Sequence, residues 1–310
     1  MDRRQFISGV GYGLLSLGLA GCGLPFSEKS GDTKSNQTSS AAVSGYDRGK
    51  LVIAEGTEPN LLIEKGFTAL GGISALVRSG ATVVIKPNFS VPRKPEEAAT
   101  TNPRLVAAVV KQCLAAGAKE VKVIDYPFSS PPVCLANSGI KAAVEAAGGR
   151  AFAINAQNFY TQVDIGGKIL KTTLFSKDVL EADVFINFPI LKHHGITKLT
   201  LGMKNMMGLV WDRGYFHRTD LIQGIAELAA FRKPHLTILD ATRGITDNGP
   251  VGPGPIREWN QVVFGVDPVA VDAYGTTLFG LKPAEIGYVS AAAQLGVGEM
   301  DLQKLTVVKV

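Results

Sequence analysis

The sequence predicts an α/β protein with a mostly parallel sheet and helices on both faces, an architecture that could form two lobes around a cleft. Two observations support this fold class. Short apolar runs alternate with segments of helical periodicity from Lys50 onwards, the order that gives parallel strands joined by helices. Polar residues recur directly after the apolar runs, where open α/β sheets place their ligands.

The first half of the chain shows a regular alternation of strands and helices. Apolar residues spaced three and four apart predict a helix from Glu58 to Val77. A second helix begins at Asn102-Pro103, because Asn is a good N-cap and Pro is favoured at the first helical position. Gly117 ends that helix. Strands are predicted at 51–54, 82–85, 121–124 and 151–155, and the other helix at 138–147.

The second half continues the pattern less regularly. Gly166-Gly167 between two alternating runs predicts a β-hairpin over 161–175. The apolar run 183–190 predicts a buried strand, with a second lobe beginning near residue 185. The sequence GPVGPGP predicts a rigid loop at 249–255. The remaining strands are predicted at 236–239, 261–265 and 305–310, and the remaining helices at 220–230, 268–278 and 283–295.

Residues 1–22 have the features of an export signal for a lipoprotein. Arg3-Arg4 precedes an apolar run that is too short to span a membrane. Leu-Ala-Gly-Cys, ending at Cys22, resembles the lipobox of bacterial lipoproteins, in which the cysteine is lipidated. The sequence therefore predicts export through the twin-arginine translocase and a lipid anchor in the bacterial cell envelope, on the outer face of the inner membrane or the periplasmic side.

The segment that follows predicts a boundary between a tether and a folded domain. Residues 23–48 are rich in Ser, Thr, Gly and Lys and poor in apolar residues, a composition typical of flexible linkers. Residues 49–310 then form the predicted α/β domain.

Cysteine and charge patterns exclude several functional classes. Cys22, Cys113 and Cys134 form no CxxC pair, so we expect no iron–sulfur cluster held by this chain alone. Cys113 lies in a predicted apolar helix and is expected to be a buried small residue, although an exported protein could also pair it with Cys134. The net charge of +5 includes no Lys/Arg run, so nucleic acid is not an expected partner.

The stretch 187–208, NFPILKHHGITKLTLGMKNMMG, concentrates the groups that carry chemistry. It leaves the predicted buried strand and places lysines, histidines and an asparagine within a short distance along the chain. Because ligands bind where strands of an open sheet end, this stretch predicts one wall of a site. Its three methionines predict an adaptable apolar lining.

Lysines and asparagines at the strand exits predict a site for a small anionic molecule. Lys86-Pro87-Asn88 follows one strand, and the proline fixes the direction in which the chain leaves it. Asp272 lies among apolar residues, where an unpaired charge is costly, so we expect it to have a partner such as one of the lysines. Asp267, before Pro268, is expected to be an N-cap. The predicted ligand-binding residues are Lys86, Asn88, Lys192, Asn205 and Asp272.

The histidines are candidates for catalysis and metal binding. Adjacent residues on a strand point in opposite directions, so His193 and His194 share a site only if Gly195 makes this segment a loop. A histidine here could be a general base, a metal ligand or a structural residue. The predicted catalytic residues are His193, His194, His217 and Lys204, and the predicted ligands of a divalent metal are His194, His217 and Asp240.

Several of these motifs occur in the order that characterises a known family. The segments KPN at 86–88, TNP at 101–103, NFPILKHH at 187–194, KNMMG at 204–208, His217, LDA at 239–241, GP at 249–250 and DPVAVDA at 267–273 resemble the family called domain of unknown function 362. Some members carry an appended ferredoxin-type module, whose four-cysteine clusters this chain lacks. A more distant likeness, at fold level, is to nickel-pincer lactate racemases, which place Lys and His between two α/β lobes.

Three functions are compatible with these features. The first is a cell-envelope enzyme acting on a small anionic molecule by proton transfer or metal-assisted chemistry, with Asp240 orienting a histidine. The second is a lipoprotein that binds a metal or an anionic ligand without turnover, and needs no histidine poised for proton transfer. The third is a purely structural envelope protein, which fits the clustered polar strand ends least well. The sequence contains no glycine-rich nucleotide-binding motif. It does not identify a cofactor beyond the divalent metal considered above.

Overall fold

A computed structural model describes residues 45–310 of the chain. The predicted export signal, Cys22 and most of the predicted linker lie outside these residues. Within the described part, Tyr46 is already packed on the α/β body. Its side chain is buried, and its hydroxyl donates a hydrogen bond to the carbonyl of Gly72 at 2.8 Å. Residues 45–48, assigned to the linker from sequence, are therefore close to the folded body.

An eight-stranded sheet forms the centre of the described residues. The strands of this part are β1 (Lys50–Glu55), β2 (Thr82–Pro87), β3 (Glu120–Asp125), β4 (Arg150–Ala153), β5 (Tyr160–Asp164), β6 (Thr172–Ser176), β7 (Val184–Phe188), β8 (Lys192–His194), β9 (Lys198–Thr200), β10 (Leu236–Ile245), β11 (Ile256–Gly265) and β12 (Thr306–Lys309). The sheet order is β12-β1-β11-β10-β7-β2-β3-β4. Only the pairs made by β11, with β1 and β10, are antiparallel. The mostly parallel α/β class predicted from sequence is confirmed.

The described α-helices are α1 (Pro59–Leu70), α2 (Pro103–Ala115), α3 (Pro131–Asn137), α4 (Ile140–Ala146), α5 (Lys177–Glu181), α6 (Gly202–Asn205), α7 (Gly214–Arg218), α8 (Leu221–Phe231), α9 (Pro268–Leu278) and α10 (Gly287–Gln294). They cover two faces of the sheet, and successive strand residues alternate between the two layers. In β2, Val83 and Ile85 pack in the core that contains α1, α2 and α4. Val84 packs in the other core, with α8, α9 and α10.

The structure shortens several predicted helices. The helix predicted over 58–77 ends at Leu70, because Gly71 takes a left-handed conformation with φ of 105°. The helix predicted over 138–147 is α4, separated from α3 by Gly139 at φ of 68°. The last predicted helix, 283–295, becomes a short 3-10 turn followed by α10.

The predicted hairpin, the predicted buried strand and two predicted helix caps are confirmed. The β5–β6 pair forms the expected hairpin, and β7 is fully buried between β2 and β10. Asn102 and Asp267 cap α2 and α9 through their side-chain oxygens. The antiparallel β8–β9 pair was not predicted.

Cys113 and Cys134 are both buried free thiols. Cys113 therefore packs as a small apolar residue, as expected.

Among residues 45–310, no helix combines the length and the apolar character that crossing a membrane requires.

Candidate functional site

A cavity of about 590 Å³ opens at the carboxyl edge of the sheet. Its walls are built from the chain segments that follow β2, β3, β7 and β10, which is where ligands bind in open α/β sheets. Of the residues predicted as site residues, those that line the cavity are Lys86, Asn88, Lys192, His194, Lys204, Asn205 and His217. His193, Asp240 and Asp272 do not line it.

A buried ion pair lies at the floor of the cavity. Lys86, at the end of β2, has its Nζ atom 2.8 Å from Oδ1 of Asp125, at the end of β3. The same ammonium donates to Oδ1 of Asn205 and to the carbonyl of Pro87, each at 2.9 Å. Burial lowers the pKa of Lys86, and the charge of Asp125 opposes this shift. With three acceptors, the ammonium has no N–H left for a ligand.

Three asparagines connect the floor to the surrounding elements. Asn205, in α6, donates to the carbonyl of Lys86 at 3.1 Å and to Oδ1 of Asn187 at 2.9 Å. It accepts from Asn88 at 3.1 Å, while Asn187 donates to the carbonyl of Gly202 at 2.8 Å. These bonds satisfy the buried amides and fix the segment after β7 against β2. The predicted ligand-binding residues Asn88 and Asn205 are therefore engaged mainly with the protein itself.

Gly208 is a site residue that the sequence motif contained but that was not singled out. It packs directly on the ion pair. A Cβ atom at this position would lie 2.8 Å from Nζ of Lys86 and would also contact Oδ1 of Asp125. Only glycine therefore lets the chain pass this close to the two charged groups.

Lys192 holds the loop 249–255 over the cavity. Its ammonium donates to the carbonyls of Ala99 at 2.6 Å and Pro250 at 2.9 Å, and makes a longer bond of 3.4 Å to Oδ1 of Asn88. Burial lowers the pKa of Lys192 to about 7, against the opposing charge of Asp125. Like Lys86, this lysine has three acceptors within the protein.

Lys204 differs from the other two lysines. The polar contact of its ammonium within the described residues is to the sulfur of Met207, at 3.7 Å, and it has no oxygen partner there. Burial lowers the pKa of Lys204 to about 8, helped by the charges of Arg213 and Lys86. The hydroxyl of Thr200, also in the cavity wall, is buried without a hydrogen-bond partner in the described residues. Lys204 can therefore bind a ligand without breaking an existing bond to an oxygen.

His194 lines the cavity, and its Nε2 atom has no hydrogen-bond partner among residues 45–310. Its Nδ1 atom accepts the backbone N–H groups of Ile196 at 3.1 Å and Thr197 at 3.3 Å. The neutral ring must then carry its proton on Nε2, which makes that atom a donor. Burial, reinforced by the charge of Lys204, lowers the pKa of His194 to about 3. This geometry favours a hydrogen-bond donor over the general base or metal ligand predicted from sequence.

His193 lies on the other side of β8, as expected for adjacent residues on a strand. Its Nδ1 atom accepts the N–H of Gly249 at 3.0 Å. A Cβ atom at Gly249 would collide with the carbonyl of His193, so this glycine permits a close approach between two backbones. His193 therefore positions the 249–255 loop and is not among the residues that face the cavity.

Of the three predicted metal ligands, His194 and His217 line the cavity and Asp240 does not. Asp240 is buried and accepts hydrogen bonds from the backbone of Asn102 and from the backbone and hydroxyl of Thr242. Its carboxylate is thus used to join β10 to the start of α2. His217 is exposed on α7 and lines the same cavity as His194, whose pKa its charge helps to lower. No group of three His, Cys, Asp or Glu side chains within residues 45–310 is arranged to hold a metal ion.

Asp272 has a partner, but that partner is not a lysine. Its two carboxylate oxygens accept the N–H groups of Gly202 at 2.7 Å and Met203 at 2.9 Å, at the start of α6. Burial raises the pKa of Asp272 to about 7, against these two hydrogen bonds. The ligand-binding role predicted for Asp272 is therefore replaced by a structural one: it anchors the segment that carries Lys204.

An arginine and three aromatic residues complete the cavity and were missed in the sequence. Arg213 donates to the carbonyls of Tyr126 at 2.6 Å and Pro127 at 3.3 Å, and its guanidinium lies 4.1 Å from the centre of the Tyr126 ring. The Tyr126 ring stacks on Trp211, with centroids 5.4 Å apart. Phe128 lies beyond them. Tyr126 and Phe128 directly follow the end of β3. A search for side chains at the ends of predicted strands, which identified Lys86, could therefore also have identified them.

The chain is similar to proteins of known sequence and of known structure. It is 29% identical over 236 residues to the thylakoid-associated protein sll1697 of Synechocystis sp. (strain ATCC 27184 / PCC 6803 / Kazusa), covering 74% of this chain and 72% of that protein. The lactate racemase apoprotein from Thermoanaerobacterium thermosaccharolyticum is similar over 73% of this chain and 55% of its own, with a TM-score of 0.45 and 11% identity. A Thermotoga maritima protein is similar over 77% of this chain and 60% of its own, with a TM-score of 0.36 and 13% identity.

The chain thus spans less than two thirds of either solved chain. The family described as domain of unknown function, DUF362, matches residues 83–277. That range exceeds half of the 310 residues and contains the residues that line the cavity. The chain therefore belongs to the DUF362 family, as the order of its motifs predicted.

Proposed function

We propose that this protein binds a small anionic molecule in the cavity and exchanges a proton with it through Lys204. One observation carries the proposal: the ammonium of Lys204 lines the cavity without an oxygen partner in the described residues. Lys86 and Lys192, by contrast, are occupied by acceptors of the protein. An anionic oxygen would give Lys204 the charge-assisted hydrogen bond that these lysines already have.

The surrounding groups support an anion at this position. Arg213 supplies a permanent positive charge, and His194 offers the N–H of its neutral ring. A lysine with a pKa near 8 is suited to proton transfer close to neutral pH, which His194 is not. The reaction class is therefore removal of a proton from a carbon next to a carboxylate or ketone. The neutral amine of Lys204, which forms as the pH approaches 8, takes the proton as the C–H bond breaks, and the resulting ammonium pairs with the enolate that is left.

A second candidate function is binding without turnover. It is favoured by the geometry of His194, whose Nδ1 atom accepts two backbone N–H groups and whose Nε2 atom carries the proton, so that this histidine is not poised as a base. The two candidates differ in one measurable event, the exchange of a carbon-bound proton.

The test combines binding and exchange measurements. Isothermal titration with malonate and pyruvate would compare wild type with Lys204→Met and Lys204→Arg, and with Lys198→Met, which removes a lysine 55% exposed. We expect binding to be lost in Lys204→Met only. Proton NMR in D₂O should then show exchange of the ligand's C–H groups above the buffer rate in wild type and none in Lys204→Arg. Unchanged binding by Lys204→Met would refute the site, and binding without exchange would establish the second candidate.

We further propose that the protein is exported and anchored through a lipid on Cys22. The support is the order of the twin arginines, the short apolar run and the lipobox-like sequence. Cys22→Ser should move the protein from the membrane fraction to the soluble fraction, and replacing Arg3 and Arg4 by lysines should block export. A membrane-bound Cys22→Ser protein would contradict the anchor without affecting the proposal for the cavity.

A further inference from the structure

The mouth of the cavity carries two large apolar side chains beside the polar residues Asp212 and His217. Phe128 and Ile196 both line the cavity, and they are 52% and 69% exposed. Phe128 follows β3, and Ile196 occupies the turn between β8 and β9. Large apolar side chains that line a cavity and are also this exposed must lie at its opening. Their contact with water is unfavourable unless a ligand covers them.

Further apolar side chains line the cavity that contains Lys204. Tyr126 and Trp211 line the cavity as a stacked pair, with an interplanar angle of 3°. Met207 also lines it, and its sulfur is the atom 3.7 Å from the ammonium of Lys204. The ammonium of Lys204 is therefore in contact with an apolar side chain that lines the same cavity as the aromatic pair. A volume of about 590 Å³ is larger than an anion of two or three carbons requires.

We infer that the ligand of this cavity is an amphipathic carboxylate. Its charged head lies at Lys204, and its apolar tail extends past Met207 and the Tyr126–Trp211 pair towards Phe128 and Ile196. This inference rests on the proposed function and names its substrate class. A hydrophilic anion such as phosphate would satisfy the floor of the cavity but would leave the mouth exposed to water.

A series of straight-chain carboxylates tests the inference. Isothermal titration with acetate, butyrate, hexanoate and octanoate, at constant ionic strength and below micelle formation, gives the change in Kd with chain length. We expect Kd to fall with each added methylene, by at most about fourfold, since ~0.8 kcal/mol is the transfer free energy of a buried CH₂ group. Kd should stop falling with chain length once the tail extends beyond the mouth.

Two substitutions at the mouth locate the tail. Ile196→Ser should weaken octanoate binding several-fold and leave acetate binding unchanged. Phe128→Ser should act in the same direction, although the Phe128 ring also lies 5.8 Å from the Arg213 guanidinium, so Ile196→Ser is the cleaner variant. Leu61→Ser is the matched control, because Leu61 is 55% exposed on α1 and does not line the cavity.

The outcomes separate this inference from the proposed function. A Kd independent of chain length, with acetate binding still abolished by Lys204→Met, overturns the amphipathic ligand and leaves the anion site intact. A chain-length effect that is equal in wild type, Ile196→Ser and Leu61→Ser also overturns it, because the tail would not reach the mouth. Failure of every carboxylate to bind overturns the proposed function and the inference together.

Discussion

Lys86 Nζ and Asp125 Oδ1 lie 2.8 Å apart at the junction of β2 and β3, with side chains only 1% and 0% exposed. Removing one partner of such a pair leaves an uncompensated buried charge, which typically costs 3–5 kcal/mol. We therefore expect Lys86→Met to lower the free energy of unfolding by about 3–5 kcal/mol. Urea denaturation followed by circular dichroism would measure the change.

A double-mutant cycle checks that the loss comes from the pair. Asp125→Asn and the double variant Lys86→Met/Asp125→Asn complete the cycle. The double variant should be less destabilised than the sum of the two single variants, because no charge is left buried alone. Strict additivity would show that the two side chains do not stabilise each other.

Gly208→Ala should be destabilising although it adds a single methyl group. The new Cβ would lie 2.8 Å from Nζ of Lys86, and overpacking of this kind costs about 1–3 kcal/mol. Gly195→Ala is the control, since Gly195 also lines the cavity but its Cβ would meet its nearest neighbour at 3.8 Å. Thermal denaturation should lower the Tm of the first variant alone. Equal Tm values would mean that the chain moves away from the ion pair without cost.

The affinity for a carboxylate should fall as the pH rises through about 8. Burial lowers the pKa of Lys204 to about 8, so its ammonium is present below that pH and is lost above it. Because the apparent Kd scales inversely with the protonated fraction, Kd at pH 9 should be about tenfold higher than at pH 7. Isothermal titration of wild type and Lys204→Arg would measure this dependence.

Arginine stays protonated, so Lys204→Arg should lose the inflection near pH 8. Titration of Lys192, whose burial lowers its pKa to about 7, is common to both proteins. An inflection that persists in Lys204→Arg would assign the pH dependence to another group.

Asp272 should make the folded protein less stable as the pH rises from about 4 to about 7. Burial raises its pKa to about 7 from 3.8, so the folded state binds the extra proton across this range and its stabilising contribution is lost on deprotonation. Asp272→Asn does not titrate. The difference in unfolding free energy between wild type and this variant should therefore fall by about 2–4 kcal/mol from pH 4 to pH 8.

Other buried groups also titrate in that range but cancel in the comparison. Burial lowers the pKa values of His194 and His235 to about 3 and about 4, which makes stability rise with pH in both proteins alike. A pH-independent difference between wild type and Asp272→Asn, measured by urea denaturation, would show that Asp272 stays ionised in the folded state.

The sequence predicted most of the fold because its signals are local. Alternating apolar runs, the Asn102 cap and the Gly166-Gly167 hairpin depend on neighbours along the chain, and all three are confirmed. The positions of helix ends were predicted less accurately where glycines adopt positive φ, as at Gly71 and Gly139. The three-residue strands β8 and β9 are too short to leave a periodic pattern.

The partners of the polar residues could not be predicted in the same way. Lys86 and Asp125 are far apart in sequence, and pairing them requires the order of β2 and β3 in the sheet. Lys192 and Lys204 are both lysines of the 187–208 stretch. In the fold, three oxygen acceptors bind the ammonium of Lys192, whereas the polar partner of the Lys204 ammonium in the part of the chain that the structure describes is a sulfur. The lysine with free N–H groups can be distinguished only from the tertiary contacts.

The direction of β1 decides how the protein can be attached to a surface. The chain enters the sheet at Lys50, the amino end of β1, which is parallel to β12 and, through β11, has the same direction as β10. The cavity opens at the opposite, carboxyl edge. Immobilising the folded body through a group placed just before Gly45 would therefore leave the cavity mouth unobstructed. A sensor chip or affinity resin coupled at that point could present the protein to soluble carboxylates with the mouth accessible.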